Sequence, residues 1–289
     1  MISTLTELTA PLSEADFLIR LRTRQLVFNR AQDENRYAGL IDWGMIADIA
    51  RSGDLSPDNL FIAVNRHPVR PVFYTEKGRI NPAKFDALVG RNAGLIAAKL
   101  DEHLPALGEL CGDIRGRVGE HVAINANVSI GGGGILELHY DCIDIIVLQI
   151  EGSKHWRIFG SPVRDPVKGM KTPPPPEGEL LFDETLHPGD FLFVPAGYWH
   201  VCDSSPGRSL HLALCIHPPN GWEAIGNLLP ELLEDRIFRV PFTRLNEDER
   251  AAHEAALKKR LIEKINAMSL TDMLTAGEMT GTSAETHPH

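Results

Sequence analysis

Between residues 121 and 217 the sequence breaks into short apolar runs separated by turn residues: HVAINANVSI, ILELHYDCIDIIVLQI, KHWRIFG, ELLFDETL, DFLFVPAGYWHV and SLHLALCI. Most are too brief for buried helices. Turn-punctuated apolar segments at this spacing predict the strands of a sandwich or barrel. The glycine run 131–134 and the Glu151-Gly152 pair mark bends, and a proline-rich loop over 161–178 parts the third run from the fourth.

The flanks read differently. Residues 1–12 suggest a loose arm. Ser13 is placed to cap a helix through ADFLIRLRTRQLVF, and LIDWGMIADIARSG reads as a helix closed by Ser52-Gly53. NLFIAVN and PVFYT are strand candidates. Asn81-Pro82 predicts a helix start, and PALGELCGDIRGRVG a further helix. After Pro218-Pro219, helical spacing returns in GWEAIGNLLPELLEDRIF and EDERAAHEAALKKRLIEKINAM. The expected organisation is a helical and mixed region over 1–120 packing on the β-rich centre at 121–218. A helical segment at 219–270 and a polar, disordered tail at 271–289 follow.

A net charge of −10 argues against nucleic acid as partner, because phosphate binding needs a basic surface. No run reaches the ~18 apolar residues of a membrane span, so no membrane partner is expected. The four cysteines include no CxxC pair and read as reduced thiols. A cytoplasmic location is the expectation.

Chemistry enters at His139 and Asp141. In a chain with 12 histidines and 39 acids, a single His-x-Asp triplet is no more than chance supplies. Taken singly, His139 reads as a satisfied core histidine and Asp141 as a turn acid. Their setting changes this. On a predicted strand the two side chains share a face. In GDFLFVPAGYWH, a Pro-Ala-Gly turn leads to His200, and a hairpin there would carry His200 across to the pair. Two histidines and a carboxylate make a facial triad suited to Fe(II).

These residues also carry a resemblance. Gly189-x5-Pro195-x4-His200 resembles the second motif of the cupin superfamily, and Gly133-x5-His139-x-Asp141 with Gly152 resembles the first. Asp141 stands where many cupins have a second histidine, and Ile145 where many have a glutamate. The pattern is similar to the JmjC-type Fe(II)/2-oxoglutarate oxygenases, nearest the bacterial branch related to ribosomal-protein hydroxylases. The resemblance implies a mainly β fold with flanking helices: a double-stranded β-helix with helices before it and a helical segment after it. It implies Fe(II) held by His139, Asp141 and His200, with 2-oxoglutarate and O2 as cosubstrates. Lys154 matches the family's cation for 2-oxoglutarate, and Asn125 the family's asparagine. Asn127 stands where relatives carry a tyrosine near the substrate, and Cys215 where they carry a polar residue. His211 is expected to pack beside the site rather than to ligate. Trp156 and Trp199 are expected in the core or pocket wall.

The implied activity is hydroxylation of a C–H bond on a side chain of a peptide or protein. The Asn127 departure keeps a small or peptide-derived natural product open as substrate. The alternative of another class is a non-catalytic or 2-oxoglutarate-independent metal-binding cupin. A homodimer through the C-terminal helices is also implied.

Overall fold

The computed structural model describes residues 2–90, 93–160, 162–178, 180–269 and 271. They divide into two compact units, one ending at His217 and one beginning at Pro218. The tail expected over 271–289 lies, Thr271 apart, outside the described residues.

In the first unit, helices α1 (Leu5–Thr9), α2 (Glu14–Arg22), α3 (Trp43–Ser52), α4 (Pro82–Val89) and α5 (Pro105–Val118) accompany thirteen strands. The strands are β1 (Val27–Asn29), β2 (Leu60–Val64), β3 (His67–Pro68), β4 (Thr75–Glu76), β5 (Arg79–Ile80), β6 (Ala93–Ala97), β7 (His121–Ile130), β8 (Asp144–Glu151), β9 (Lys154–Phe159), β10 (Leu180–Leu186), β11 (Phe191–Val194), β12 (His200–Ser204) and β13 (Arg208–His217). Eight form one sheet in the order β1-β11-β8-β13-β7-β6-β2-β3, and β10-β9-β12 form a second. Their pairings are antiparallel throughout. The large sheet does not close on itself, since β1 and β3 end it.

Strand periodicity gives that sheet two different faces. Ile124, Val128, Ile146, Leu148, Leu212 and Leu214 join the main core with Leu5, Leu8, Phe17, Leu110 and Ile114 of the helices. Each such fully buried side chain stabilises the fold by roughly 1.5–3 kcal/mol. Phe17 meets Phe191 and Phe193 edge-on, with centroids 5.9 and 5.3 Å apart, which fixes α2 on the sheet. The alternate residues Ile145, Val147, Ala213 and Cys215 turn the other way and cluster with Trp156 and Ile158 of β9. This second, smaller interior holds the site.

The helix caps follow the sequence. Ser13, Asp42 and Asn81 each accept a hydrogen bond from a first-turn backbone N–H, and Gly53 ends α3 in the left-handed region. Several expectations need correction. The arm at 1–12 contains α1, opened by a Thr4–Glu7 capping box, with Leu5 and Leu8 wholly buried. PVFYT is a 3-10 turn over Pro71–Phe73 running into β4, because Pro71 occupies a first helical position. The helix ends at Arg22, and Val27–Asn29 form β1 against β11. The strand expected from Ile135 begins only at Asp144, so His139 and Asp141 precede it. β11 and β12 form no hairpin: β11 pairs with β1 and β8, whereas β12 pairs with β9 in the other sheet.

The second unit carries α6 (Gly221–Glu234) and α7 (Glu247–Ala267). Arg260 reaches Asp235 at 2.7 Å and Lys264 reaches Glu231 at 3.5 Å. Trp222, Ile225, Leu229 and Leu233, spaced to share a face of α6, are exposed, as are Ile262 and Ile265 of α7. No helix among the described residues is long and apolar enough to cross a membrane.

Candidate metal and cosubstrate site

Backbone hydrogen bonds, not a continuous strand, assemble the three candidate ligands. His139 and His200 form an isolated antiparallel bridge: the His139 N–H donates to the His200 carbonyl at 3.1 Å, and the His200 N–H returns to His139 at 2.7 Å. Asp141 is fixed from the Pro-Ala-Gly turn, where the Gly197 N–H donates to its carbonyl at 2.9 Å. Gly197 has φ 86°, and any Cβ there would run into the Val163 backbone, so the turn requires glycine.

The side chains converge. His139 Nε2 lies 3.9 Å and His200 Nε2 3.6 Å from the two Asp141 carboxylate oxygens. One ligand atom from each residue falls within 4.8 Å of the others. Both rings are held in one tautomer. His139 Nδ1–H donates to the Glu137 carbonyl at 2.7 Å, and His200 Nδ1–H to the Tyr198 carbonyl at 2.9 Å. A carbonyl only accepts, so each Nδ1 carries the proton and each Nε2 presents its lone pair toward Asp141. Two imidazole nitrogens and one carboxylate on a common point fit a divalent metal such as Fe(II), with positions left for other ligands.

Burial, with His139 beside it, pushes His200 down to about 4. His211 is held well below the usual range by burial and by the neighbouring Lys154 charge. Unfolding returns both rings to ordinary values near 6.5, so between those limits the unfolded chain binds more protons. Stability of the metal-free protein should therefore fall as pH drops from 6.5 toward 4, by about 3 kcal/mol from His200 alone. Denaturant titrations across that window check this. His200→Asn should remove its share of the slope; an identical slope in the variant would refute the assignment.

Lys154 opens β9, where Lys154, Trp156 and Ile158 point inward and His155, Arg157 and Phe159 outward. It is completely buried. Its Nζ lies 3.1 Å from His211 Nδ1. An ammonium only donates, so His211 is neutral there and accepts. Among the described residues no carboxylate pairs with this ammonium, and burial pulls its pKa down. A buried cation facing a neutral acceptor is suited to an anionic ligand.

Trp156 forms a wall common to both halves of the site. Its ring stacks on His200 at 5.6 Å and meets His211 edge-on at 5.6 Å, and its indole N–H is buried without a partner among the described residues. Trp199 packs edge-on against Tyr140. Asn125 of β7 lies opposite Ala213; its Oδ1 accepts from the Lys99 N–H at 3.1 Å and its Nδ2 donates to Cys215 Sγ at 3.4 Å. One amide hydrogen is left for a ligand. Asn127 pairs in register with His211 and is half-buried. Sequence reasoning missed Arg66 and Asp203, which meet beside the His139 segment. Nothing local in either stretch marks that contact.

Residues 112–224 match the JmjC domain family. That match takes in strands β7 to β13 and the His-Asp-His cluster. Ribosomal oxygenase 1 of Rattus norvegicus is 28% identical over 227 residues, covering 74% of this chain and 37% of the rat protein. The bifunctional lysine-specific demethylase and histidyl-hydroxylase NO66 of Culex quinquefasciatus is 25% identical over 228 residues, covering 75% of this chain and 35% of that protein. The chain therefore spans a little over a third of the length of these relatives. Among solved structures, the Escherichia coli ribosomal oxygenase YcfD in complex with cobalt and 2-oxoglutarate superposes with a TM-score of 0.60 at 20% identity, over 89% of this chain and 68% of that one. At that identity the likeness is one of fold.

Proposed function

We propose that this chain is an Fe(II)/2-oxoglutarate-dependent oxygenase that hydroxylates a side chain of a peptide or protein. The observation that carries the reading is the pairing of two features in one interior. One is a triad with both Nε2 lone pairs directed at a carboxylate. The other is a fully buried lysine that has no carboxylate partner among the described residues. His139, Asp141 and His200 would hold the metal, Lys154 would receive the far carboxylate of 2-oxoglutarate, and Asn125 would donate an amide N–H to the same cosubstrate. Bound iron supplies oxygen activation: 2-oxoglutarate and O2 give succinate and carbon dioxide as one oxygen atom enters a substrate C–H bond. The protein's own part is orientation and exclusion of water, with Trp156, Ile145, Val147 and Cys215 forming the apolar lining.

The relatives named ribosomal oxygenase and histidyl-hydroxylase favour a protein substrate, and a ribosomal-protein histidine is the first to test. Asn127 at the inner wall would contribute to substrate contact. The two facing sheets would form the double-stranded β-helix of such enzymes, and the working location would be the cytoplasm. Incubating the iron-loaded protein with 2-oxoglutarate and ribosomal-protein peptides tests the reading: succinate should appear together with a peptide mass gain of one oxygen. Succinate released equally without peptide, with no modified product from any peptide, would count against a protein substrate.

The apolar stripe of α6 would be covered by a second copy of the chain. Leu229→Glu should convert a dimer to a monomer in light scattering. A wild-type monomer at micromolar concentration would exclude this.

A further inference from the structure

The segment that leads into His139 lies between β7 and β8 and belongs to neither a helix nor a strand. Gly131, Gly132 and Gly133 all adopt positive φ, at 86°, 101° and 80°. Yet the Glu137 carbonyl has to stay on His139 Nδ1 for Nε2 to face Asp141. The Gly133–Ser204 and His139–His200 bridges hold the segment's two ends, and Ile135 packs against Phe61, Ala63 and Ile96. A further tether comes from a distant hairpin. β2 and β3 are joined by Asn65 and Arg66 alone, and both have positive φ, 51° and 63°. This is a type I′ turn, whose second central position favours glycine. An arginine there is held in an unfavourable backbone conformation, which points to a use for its side chain.

That side chain reaches both the segment before His139 and β12. Nη1 donates to the Leu136 carbonyl and Nη2 to the Asp203 carboxylate, while Nε lies 4.0 Å from the Glu137 carboxylate. Asp203 is three residues beyond His200 on β12, and its other oxygen accepts from Arg157 at 3.0 Å. Gly134 lies directly against the guanidinium, and a Cβ there would overlap it. A planar fork holds a carbonyl and a carboxylate at a fixed spacing, whereas a lysine ammonium is a point charge on a flexible stem.

We infer that Arg66 is a positioning residue of the metal site. Its guanidinium clamps residues 134–137 to β12 and so keeps the Glu137 carbonyl on His139. The inference rests on the metal reading of the triad.

Anaerobic Co(II) titration of the purified chain, followed by the visible absorption of bound cobalt, tests it. Arg66→Gly suits the left-handed turn and removes the clamp. Gly134→Ala keeps the arginine and displaces it. Each should weaken Co(II) binding by ~10–100-fold, the range for loss of an outer partner of a metal-bound histidine. The exposed neighbour variant His67→Ala should match wild type. Nitrogen-detected NMR should show His139 losing its fixed Nδ1–H tautomer in the two clamp variants. Wild-type affinity in both clamp variants would overturn the clamp alone. Failure of the wild type to bind Co(II) would overturn the metal reading and the clamp with it. Should Arg66→Gly fail to fold, Gly134→Ala decides.

Discussion

Asp141→Ala is expected to abolish metal-dependent turnover while leaving the chain folded. The carboxylate is the only acid in the cluster and lies between the two Nε2 atoms. It is also about a third exposed, so its removal opens no core cavity. The backbone bonds that assemble the site run through the carbonyl of Asp141 and the main chains of His139 and His200, and an alanine keeps all of them. Loss of a direct ligand should weaken metal binding by more than the ~10–100-fold typical of an outer partner. Calorimetric titration with Co(II) or Fe(II), beside a melting curve of the metal-free protein, separates the two effects. A variant that binds metal as well as wild type would remove Asp141 from the site.

Lys154→Met should act in opposite directions on stability and on ligand binding. In the ligand-free protein the ammonium is buried against a neutral imidazole, an arrangement that desolvation penalises. Replacing buried charge by an apolar side chain of similar length is often stabilising, by about 1–4 kcal/mol. The sign with pH follows. The folded pKa lies below the unfolded value of 10.5, so the unfolded chain binds the extra proton. The penalty is therefore present at neutral pH and lifts as pH rises toward 10.5, and the methionine variant should lose that dependence. Binding of 2-oxoglutarate should weaken by ~2 kcal/mol or more, about 30-fold, because its far carboxylate loses a buried charge partner. Denaturant unfolding and a 2-oxoglutarate titration of the same preparation read both. Unchanged 2-oxoglutarate affinity would place the cosubstrate elsewhere.

How far the sequence could be read depended on whether a signal was local. Alternation in KHWRIF places Lys154 on one face and His155 and Arg157 on the other, and β9 has that pattern with Lys154 inward. The apolar runs from 121 to 217 were legible as strands because both faces of the large sheet are buried, each against its own cluster. The ligand segment was harder. His139 and Asp141 owe their placement to a two-residue bridge and to the Gly197 N–H, partners some sixty positions away that leave no periodicity behind. The turn before His200 could equally have closed a hairpin. Its crossing to the other sheet is settled by β9, which takes β12 as a partner. β6 escaped notice because AGLIA is short, rich in small residues and buried at every position, without alternation. α1 was obscured by polar neighbours, and its two leucines became core only through α2 and α5.

The most direct test of the site is spectroscopic. The protein would be loaded anaerobically with Fe(II) and titrated with 2-oxoglutarate while the visible metal-to-ligand charge-transfer band is followed. A saturable band in wild type, lost in Asp141→Ala and shifted to higher 2-oxoglutarate concentration in Lys154→Met, is the expected result. Folded, iron-loaded wild-type protein that develops no band would contradict the assignment of this interior to 2-oxoglutarate.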